Sequence, residues 1–310
     1  MSGLAFLFPG QGSQFAGMGK DLAERFAEAR EVYARADAAL APLGLVVSKV
    51  SFEGTEEDLR QTAVTQPAIL THAVAVLAVL KAKGIVPAAA AGHSLGEYAA
   101  LVAAGALTLE DAVVLVRRRG TFMQEAVPAG RGAMSAVIGL AAEEVVAACA
   151  EAAAASGEIV EAANFNSPEQ TVIAGGTSGV ARAGELLRAK GAKRVLPLPV
   201  SAPFHCALMK PAEKALAPFL DGTPFSPLAI PVVNNAEAQV ETDADAAREA
   251  LRRQVCSPVR WVESVRRLSG LASSAIEVGP GTVLAGLAKR IARDWPVKTT
   301  STAAALDAFS

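Results

Sequence analysis

In the first half of the chain, short apolar runs alternate with longer stretches whose apolar residues recur every three or four positions. Leu4 to Phe8 is an unbroken apolar run closed by Pro9-Gly10-Gln11-Gly12, the pattern of a buried strand entering a turn. The spacing then predicts helices over about 19 to 40 and 67 to 83, a buried strand over Ile85 to Ala91, and helices over Glu97 to Ala104 and about 108 to 126. Strands alternating with helices predict an α/β fold, a mostly parallel sheet covered by helices, with functional loops at the carboxyl ends of its strands.

The pattern changes after Pro128-Ala129-Gly130. Strands are expected at Ala133–Gly139, Ile159–Asn164, Thr171–Ala174 and Arg194–Leu198, with helices at Ala141–Ala155 and Ser178–Lys190. That order, β-α-β-β-α-β in about 70 residues, is the ferredoxin-like arrangement. Residues 128–198 are therefore expected to form a small domain inserted into a larger one made of 1–127 and 199–310. No internal repeat is visible.

Composition narrows the class. The 310 residues are 52% hydrophobic and 19% charged, which is enough to bury a sizeable core. A net charge of −2 gives no argument for nucleic acid. Cys149, Cys206 and Cys256 are an odd number in a long chain and suit a reducing compartment better than a disulfide framework. The start lacks a charged n-region and a long apolar core, so no signal peptide is expected. No 18-residue apolar run is free of charge, glycine and proline, so no membrane span is expected either. The expectation is a soluble, cytoplasmic protein.

The chemistry is written most clearly in Gly92-His93-Ser94-Leu95-Gly96, a G-x-S-x-G elbow set between the expected strand and helix. Such a turn exposes Ser94 Oγ and leaves the Leu95 N–H at a helix N-terminus, where an unpaired donor can hold an oxyanion. Gly92 and Gly96 are expected where the turn needs positive φ and where strand and helix pack closely. A serine nucleophile needs a base, and there are three histidines. His72 falls in a helical pattern and either packs or faces solvent, and the His93 side chain should diverge from that of its neighbour Ser94. His205, in the loop-like Ala202-Pro203-Phe204-His205, remains as the base. Its position, 105 residues from the chain end, departs from the ordinary hydrolase order, so the orienting group is open. One option is a backbone carbonyl at Gln254, in the last turn of an expected helix over 244–256 that Ser257-Pro258 ends.

Arg117, Arg118 and Arg119 follow one another in a helix opened by Thr108 and Asp111. A solvated basic patch is one reading. Arg119, however, shares helical spacing with Ala112, Leu115, Val116 and Met123, the stripe that should face inward. An inward guanidinium calls for an anionic partner, and its planar fork suits a carboxylate.

Together these residues resemble the malonyl-CoA:acyl carrier protein transacylases of bacterial fatty acid synthesis, nearly end to end. The motifs are Phe8-Pro-Gly-Gln-Gly-Ser-Gln14, Gly92-His-Ser-Leu-Gly-Glu97, Arg119-Gly120, Asn164-Phe-Asn-Ser-Pro168, Pro203-Phe-His-Cys-Ala-Leu-Met209, Val232-Val-Asn-Asn235 and Glu277-Val-Gly-Pro-Gly281. The resemblance implies a hydrolase-like core with an inserted ferredoxin-like domain. It also implies a Ser94–His205 pair, a Gln254 carbonyl in place of the usual acid, and an oxyanion hole from the N–H groups of Gln11 and Leu95. Arg119 would clamp the free carboxylate of malonyl, and Gln11, Asn166, Phe204 and His93 would shape the pocket. No metal or resident cofactor is implied, since coenzyme A and phosphopantetheine are parts of the substrates. The resemblance leans towards a monomer acting on malonyl-CoA and holo-acyl carrier protein. Carrier proteins of this kind are usually acidic, so the basic cluster Arg188, Lys190, Lys193 and Arg194 is a candidate docking surface. A polyketide-type malonyl or methylmalonyl acyltransferase and a serine thioesterase or esterase share the elbow. A nucleotide-binding reading of Gly10-Gln-Gly12 lacks both the third glycine and a Walker lysine.

Overall fold

The computed structural model describes residues 3–200 and 202–309. Its strands, in chain order, are β1 (Leu4–Phe8), β2 (Ala89–Gly92), β3 (Gly132–Ile138), β4 (Val160–Ser167), β5 (Gln170–Gly176), β6 (Arg194–Pro197), β7 (Val232–Val233), β8 (Val240–Glu241), β9 (Ser274–Glu277) and β10 (Val297–Thr299). The main sheet has the order β10-β9-β1-β2-β7-β8 and is parallel except where β7 meets β8. The α/β class expected from the apolar pattern is the class observed. β1 and β2 are buried along most of their length, which is why both read as continuous apolar runs rather than alternating ones. They run in register from Ala5↔Ala89 to Phe8↔Gly92, so the loops after Phe8 and after Gly92 leave the sheet side by side. The His93 N–H donates to the Phe8 carbonyl at 2.9 Å and holds those two exits together.

The second sheet, β4-β5-β3-β6, is antiparallel throughout. The helices Ala142–Ser156 and Thr177–Ala189 cover it, and Val145, Cys149, Ile173 and Leu187 belong to an apolar cluster of its own. Its six elements differ from their expected bounds by no more than three residues at either end.

Elsewhere the pattern misled in instructive ways. The single helix expected over 19–40 is two, Lys20–Arg25 and Ala27–Leu40, broken at an extended Phe26 (φ −119°). The strand expected from Ile85 begins only at Ala89, beyond Pro87, which has no N–H for the ladder. The helix expected to begin at Pro67 begins at Thr62 and runs to Ala82 with Pro67 inside it. Proline there removes the bond that would end on the Ala63 carbonyl four residues back. Arg117 Nη1 takes over that acceptor at 2.7 Å, so a side chain from the neighbouring helix repairs the gap. This helix is also long and apolar enough, by length and composition, to cross a membrane, but 83% of its most apolar window is buried inside the molecule. Core burial explains its composition.

Helix Leu109–Glu125 crosses Thr62–Ala82 at Gly120, where an added Cβ would lie 2.6 Å from the Thr62 carbonyl oxygen. This close approach brings Arg119 against Gln66 and sets the depth at which the guanidinium sits. At the other edge, the buried Glu277 carboxylate ends β9 and accepts from the N–H groups of Leu284 and Ala285 at 3.0 and 2.8 Å. It thereby caps helix Val283–Ile291, which borders the site described next. Burial pushes the Glu277 carboxyl up to about 7.

Candidate active site

Ser94 sits at φ 53°, in the left-handed region, between the end of β2 and helix Gly96–Ala103. The positive φ falls on the serine itself, not on the flanking glycines, which corrects one expectation. The glycines answer to space alone. A Cβ on Gly92 would lie 1.9 Å from the Gly96 carbonyl, and one on Gly96 would lie 2.1 Å from the Phe8 carbonyl oxygen. The turn is tight because nothing larger than hydrogen fits inside it.

His205 Nε2 lies 2.7 Å from Ser94 Oγ, and its Nδ1 lies 3.0 Å from the Gln254 carbonyl and 3.2 Å from that of Ser257. Carbonyls only accept, so Nδ1 carries the proton and Nε2 is the acceptor for the serine hydroxyl. His205 is 3% exposed, and burial followed by the Arg119 charge pushes its pKa down to about 3. It is therefore neutral and ready to accept a proton at any ordinary working pH. Like Ser94, it adopts a positive φ, 59°. Gln254 closes helix Ala244–Gln254, which ends two residues sooner than expected, and its carbonyl is one that the last helical turn leaves free.

Arg119 is 1% exposed, on the inward face with Ala112, Leu115, Val116 and Met123, as its spacing predicted. Nη1 donates to Gln66 Oε1 at 2.8 Å, and Nη2 donates to Gln254 Oε1 at 2.8 Å and to Ser94 Oγ at 3.1 Å. Nε has no partner among the described residues. The guanidinium thus stands beside Ser94 Oγ with neutral acceptors and two spare N–H groups, one on Nε and one on Nη1. Its two neighbours diverge, Arg117 to the Ala63 carbonyl and Arg118 over the Phe219 ring at 4.1 Å.

Ser94, His205 and Arg119 line one cavity of about 90 Å³ with Gln11, Gln66, Leu95, Phe204 and hydrophobic neighbours. That is far below the roughly 300–1,000 Å³ of sites for drug-sized ligands, so it suits a short acyl group. Neither the Gln11 nor the Leu95 N–H is engaged in a hydrogen bond with another described group, which leaves both free to receive an oxyanion. A second cavity, of about 280 Å³, shares Gln11, His93, Asn164 and Leu198 with the first and continues along Val283, Leu284 and Leu287. His93 turns away from Ser94 as expected. Its Nε2–H donates to Asn166 Oδ1 at 2.8 Å, its ring meets Trp261 edge-on at 5.4 Å, and burial pushes its pKa down. Asn166 and His93 both line the second cavity, whereas Phe204, 7% exposed, walls the first. His72 is fully buried and far below its ordinary pKa, at about 4, because of that burial.

Three partners went unforeseen. Asn235 Oδ1 accepts the Ser94 N–H at 2.6 Å, and its Nδ2 donates to the Gly92 carbonyl at 2.6 Å, bracing the elbow from outside. Glu97, 2% exposed, accepts from the Asn235 N–H at 2.9 Å and from Gln254 Nε2 at 2.8 Å. Burial pushes its carboxyl up to about 7. Gln66 holds the far side of Arg119. Asn235 and Glu97 stand inside motifs named above, but Gln66 carried no signal beyond being polar on an apolar helix.

A half-buried serine in hydrogen-bond contact with a buried histidine and a buried arginine, at the carboxyl ends of parallel strands, is an arrangement that suits serine-dependent acyl chemistry. Residues 5–306 match the acyl transferase domain family, and the chain belongs to it. It is 50% identical over 293 residues, 94% of this chain and 93% of the other, to the malonyl CoA-acyl carrier protein transacylase of Escherichia coli strain K12. An acyl carrier protein S-malonyltransferase from Vibrio cholerae has a crystal structure 49% identical to it, with a TM-score of 0.94 and 99% of both chains covered. A malonyl-transacylase solved in complex with a type II polyketide synthase acyl-carrier protein is 46% identical, with a TM-score of 0.95 and 99% of both chains covered.

Proposed function

We propose that this protein moves the malonyl group of malonyl-CoA to the phosphopantetheine thiol of holo-acyl carrier protein through a malonyl-Ser94 ester, supplying fatty acid synthesis. The observation that carries this reading is the meeting of Ser94 Oγ, His205 Nε2 and the Arg119 guanidinium in one small cavity. A hydrolase needs the first two but has no use for a buried guanidinium beside its nucleophile.

The serine hydroxyl gives its proton to His205 Nε2 as Oγ bonds to the thioester carbon. The oxyanion that forms is received by the Gln11 and Leu95 N–H groups. Collapse breaks the C–S bond, and His205 returns the proton to the coenzyme A sulfur. The second half mirrors the first: His205 deprotonates the carrier thiol, sulfur attacks the ester, and Ser94 leaves with the proton. Carbonyls of Gln254 and Ser257 hold the imidazole ring throughout. Arg119 binds the malonyl carboxylate, while Phe204, Asn166 and His93 shape the approach.

Residues 1–127 and 199–310 make the catalytic core in this reading, and 128–198 the inserted ferredoxin-like domain. The separate antiparallel sheet and its own apolar cluster support that division. Arg188, Lys190, Lys193 and Arg194 are all exposed, but Lys190 and Lys193 lie 3.6 Å from Glu151 and Glu169. Lys289, Arg290 and Arg293 stand across a groove of about 1160 Å³ from Glu169 and are in no ion pair among the described residues. We assign carrier docking to this two-sided basic surface. Thioester and thiol chemistry, with three free cysteines, fits a reducing, cytoplasmic compartment.

Intact mass spectrometry after brief exposure to malonyl-CoA tests the reading. One malonyl adduct, absent from Ser94→Ala and discharged by holo-carrier rather than by water, is expected. An adduct lost to water equally fast with or without carrier would make the protein a thioesterase. A polyketide role, consistent with the carrier complex of the 46%-identical relative, would appear as preference for a polyketide carrier over a fatty acid one.

A further inference from the structure

The Ser94 elbow, His205 and Arg119 all lean on Asn235 and Gln254, and both residues donate to one buried carboxyl group, Asn235 through its main-chain N–H and Gln254 through its side-chain amide. Gln254 holds three of these connections. Its main-chain carbonyl orients His205, its Oε1 accepts from Arg119 Nη2, and its Nε2 donates to the Ser94 carbonyl at 3.0 Å and to Glu97 Oε2 at 2.8 Å. A carboxamide presents nearly the same shape after a half-turn about its last bond, so packing alone does not choose its orientation. Here partner chemistry chooses. Glu97 Oε2 accepts from the Asn235 N–H, the Ser94 carbonyl only accepts and a guanidinium only donates, so NH₂ faces Glu97 and Ser94 while oxygen faces Arg119.

We propose that Glu97 is a positioning residue for acyl-group selection: its carboxylate locks the Gln254 amide so that Oε1 steadies Arg119 to receive the substrate carboxylate. The inference rests on the malonyl-transfer reading above. Without the acceptor at 97, Nε2 keeps only the Ser94 carbonyl, so the amide is held by one bond fewer and swings more freely, and Oε1 steadies Arg119 Nη2 less firmly. The guanidinium then loses some of the aim of the fork that a carboxylate must meet bidentately. Acetyl brings no carboxylate and is indifferent to that aim. A purely structural role would act differently. Glu97 also accepts from the Asn235 N–H, and a disturbed Asn235 would loosen the elbow for every acyl group alike.

The test compares wild type, Glu97→Met, Gln254→Leu and the double variant, with malonyl-CoA and acetyl-CoA as donors to saturating holo-carrier. Glu97→Met is expected to lower kcat/KM for malonyl by about tenfold, mostly through KM, with a much smaller change for acetyl. Glu97→Gln, which keeps an oxygen opposite Gln254, is expected to recover most of the malonyl-to-acetyl ratio. In the Gln254→Leu background, Glu97→Met is expected to reduce that ratio no further, because the amide it acts through is gone. Parallel loss for both donors, an unchanged ratio, or additive losses in the double variant would each overturn the proposal. Should Glu97→Met not fold, Glu97→Ala is read by the same ratio and the same criteria. If wild type forms no malonyl-serine, the function itself fails, a result distinct from any of these.

Discussion

Replacing Arg119 by methionine removes the charge while keeping an unbranched chain of similar reach, and its cost can be worked from the contacts. In the free enzyme the guanidinium already donates to Gln66, Gln254 and Ser94, with one N–H on Nε and one on Nη1 spare. Acetyl leaves those bonds as they are. Malonyl adds a carboxylate, and hydrogen bonds involving a charged group contribute roughly 1.5–3 kcal/mol each. Two of them give roughly 3–6 kcal/mol before the cost of taking the carboxylate out of water, which at a buried site removes a good part of the gain. A net of roughly 3 kcal/mol corresponds to about a hundredfold in the malonyl-to-acetyl ratio of kcat/KM. The assay is stopped-flow or quenched transfer from each thioester to holo-carrier, with circular dichroism to confirm that the variant is folded. The expected result is a ratio about a hundredfold lower, chiefly because malonyl transfer slows. Equal slowing of both thioesters would refute the reasoning, because it would make Arg119 a support for the nucleophile rather than a selector of the acyl group.

The Arg119 charge also helps hold the His205 pKa at about 3, so kcat/KM of the wild type should show no histidine limb between pH 5 and 7, whereas Arg119→Met should move an acid limb upward. His72, at about 4 when folded against an ordinary histidine value of 6.5, refuses a proton that the unfolded chain accepts. Stability therefore rises with pH from about 4 to 6.5 on its account, and His72→Leu should flatten that slope, gaining roughly 2 kcal/mol at pH 5 in urea unfolding relative to its effect at pH 7. Gly120→Ala places a methyl 2.6 Å from the Thr62 carbonyl oxygen and should cost about 1–3 kcal/mol, visible as a lower Tm. Reversing Lys289, Arg290 and Arg293 to glutamate should raise KM for the carrier with little change in acylation of Ser94 by malonyl-CoA; an unchanged carrier KM would remove that face from the docking surface.

What could be read in advance depended on the range of the interaction. The elbow was legible because two glycines and a serine at fixed spacing are a local solution to a local steric problem, and Arg119 because helical periodicity places a side chain without knowing what it meets. His205 was reached by elimination, whereas the rule that helix ends leave carbonyls free made the Gln254 carbonyl one option and the family resemblance singled it out. The bracing by Glu97, Asn235 and Gln66 was not legible. Those bonds join positions as far apart as 138 and 157 residues, and nothing in the local pattern announces them. The strands β7, β8, β9 and β10 are two to four residues long, too short to show a period. Pro67 read as a helix start because the repair of its lost bond comes from Arg117, on another helix.

The use of main-chain carbonyls behind His205 bears on how this scaffold tolerates an anionic cargo. A carboxylate in that place would stand within reach of Arg119 and form an ion pair with it inside the protein. Malonyl would then have to displace a resident anion and be repelled by it. Dipoles from Gln254 and Ser257 steady the same imidazole without net charge, and Glu97 is kept one amide away from the guanidinium. The cavity therefore waits with its positive charge unclaimed. Because every residue at 254 has a carbonyl, side-chain exchanges there would, on the proposed mechanism, retune acyl choice while the main-chain anchor of His205 stays in place.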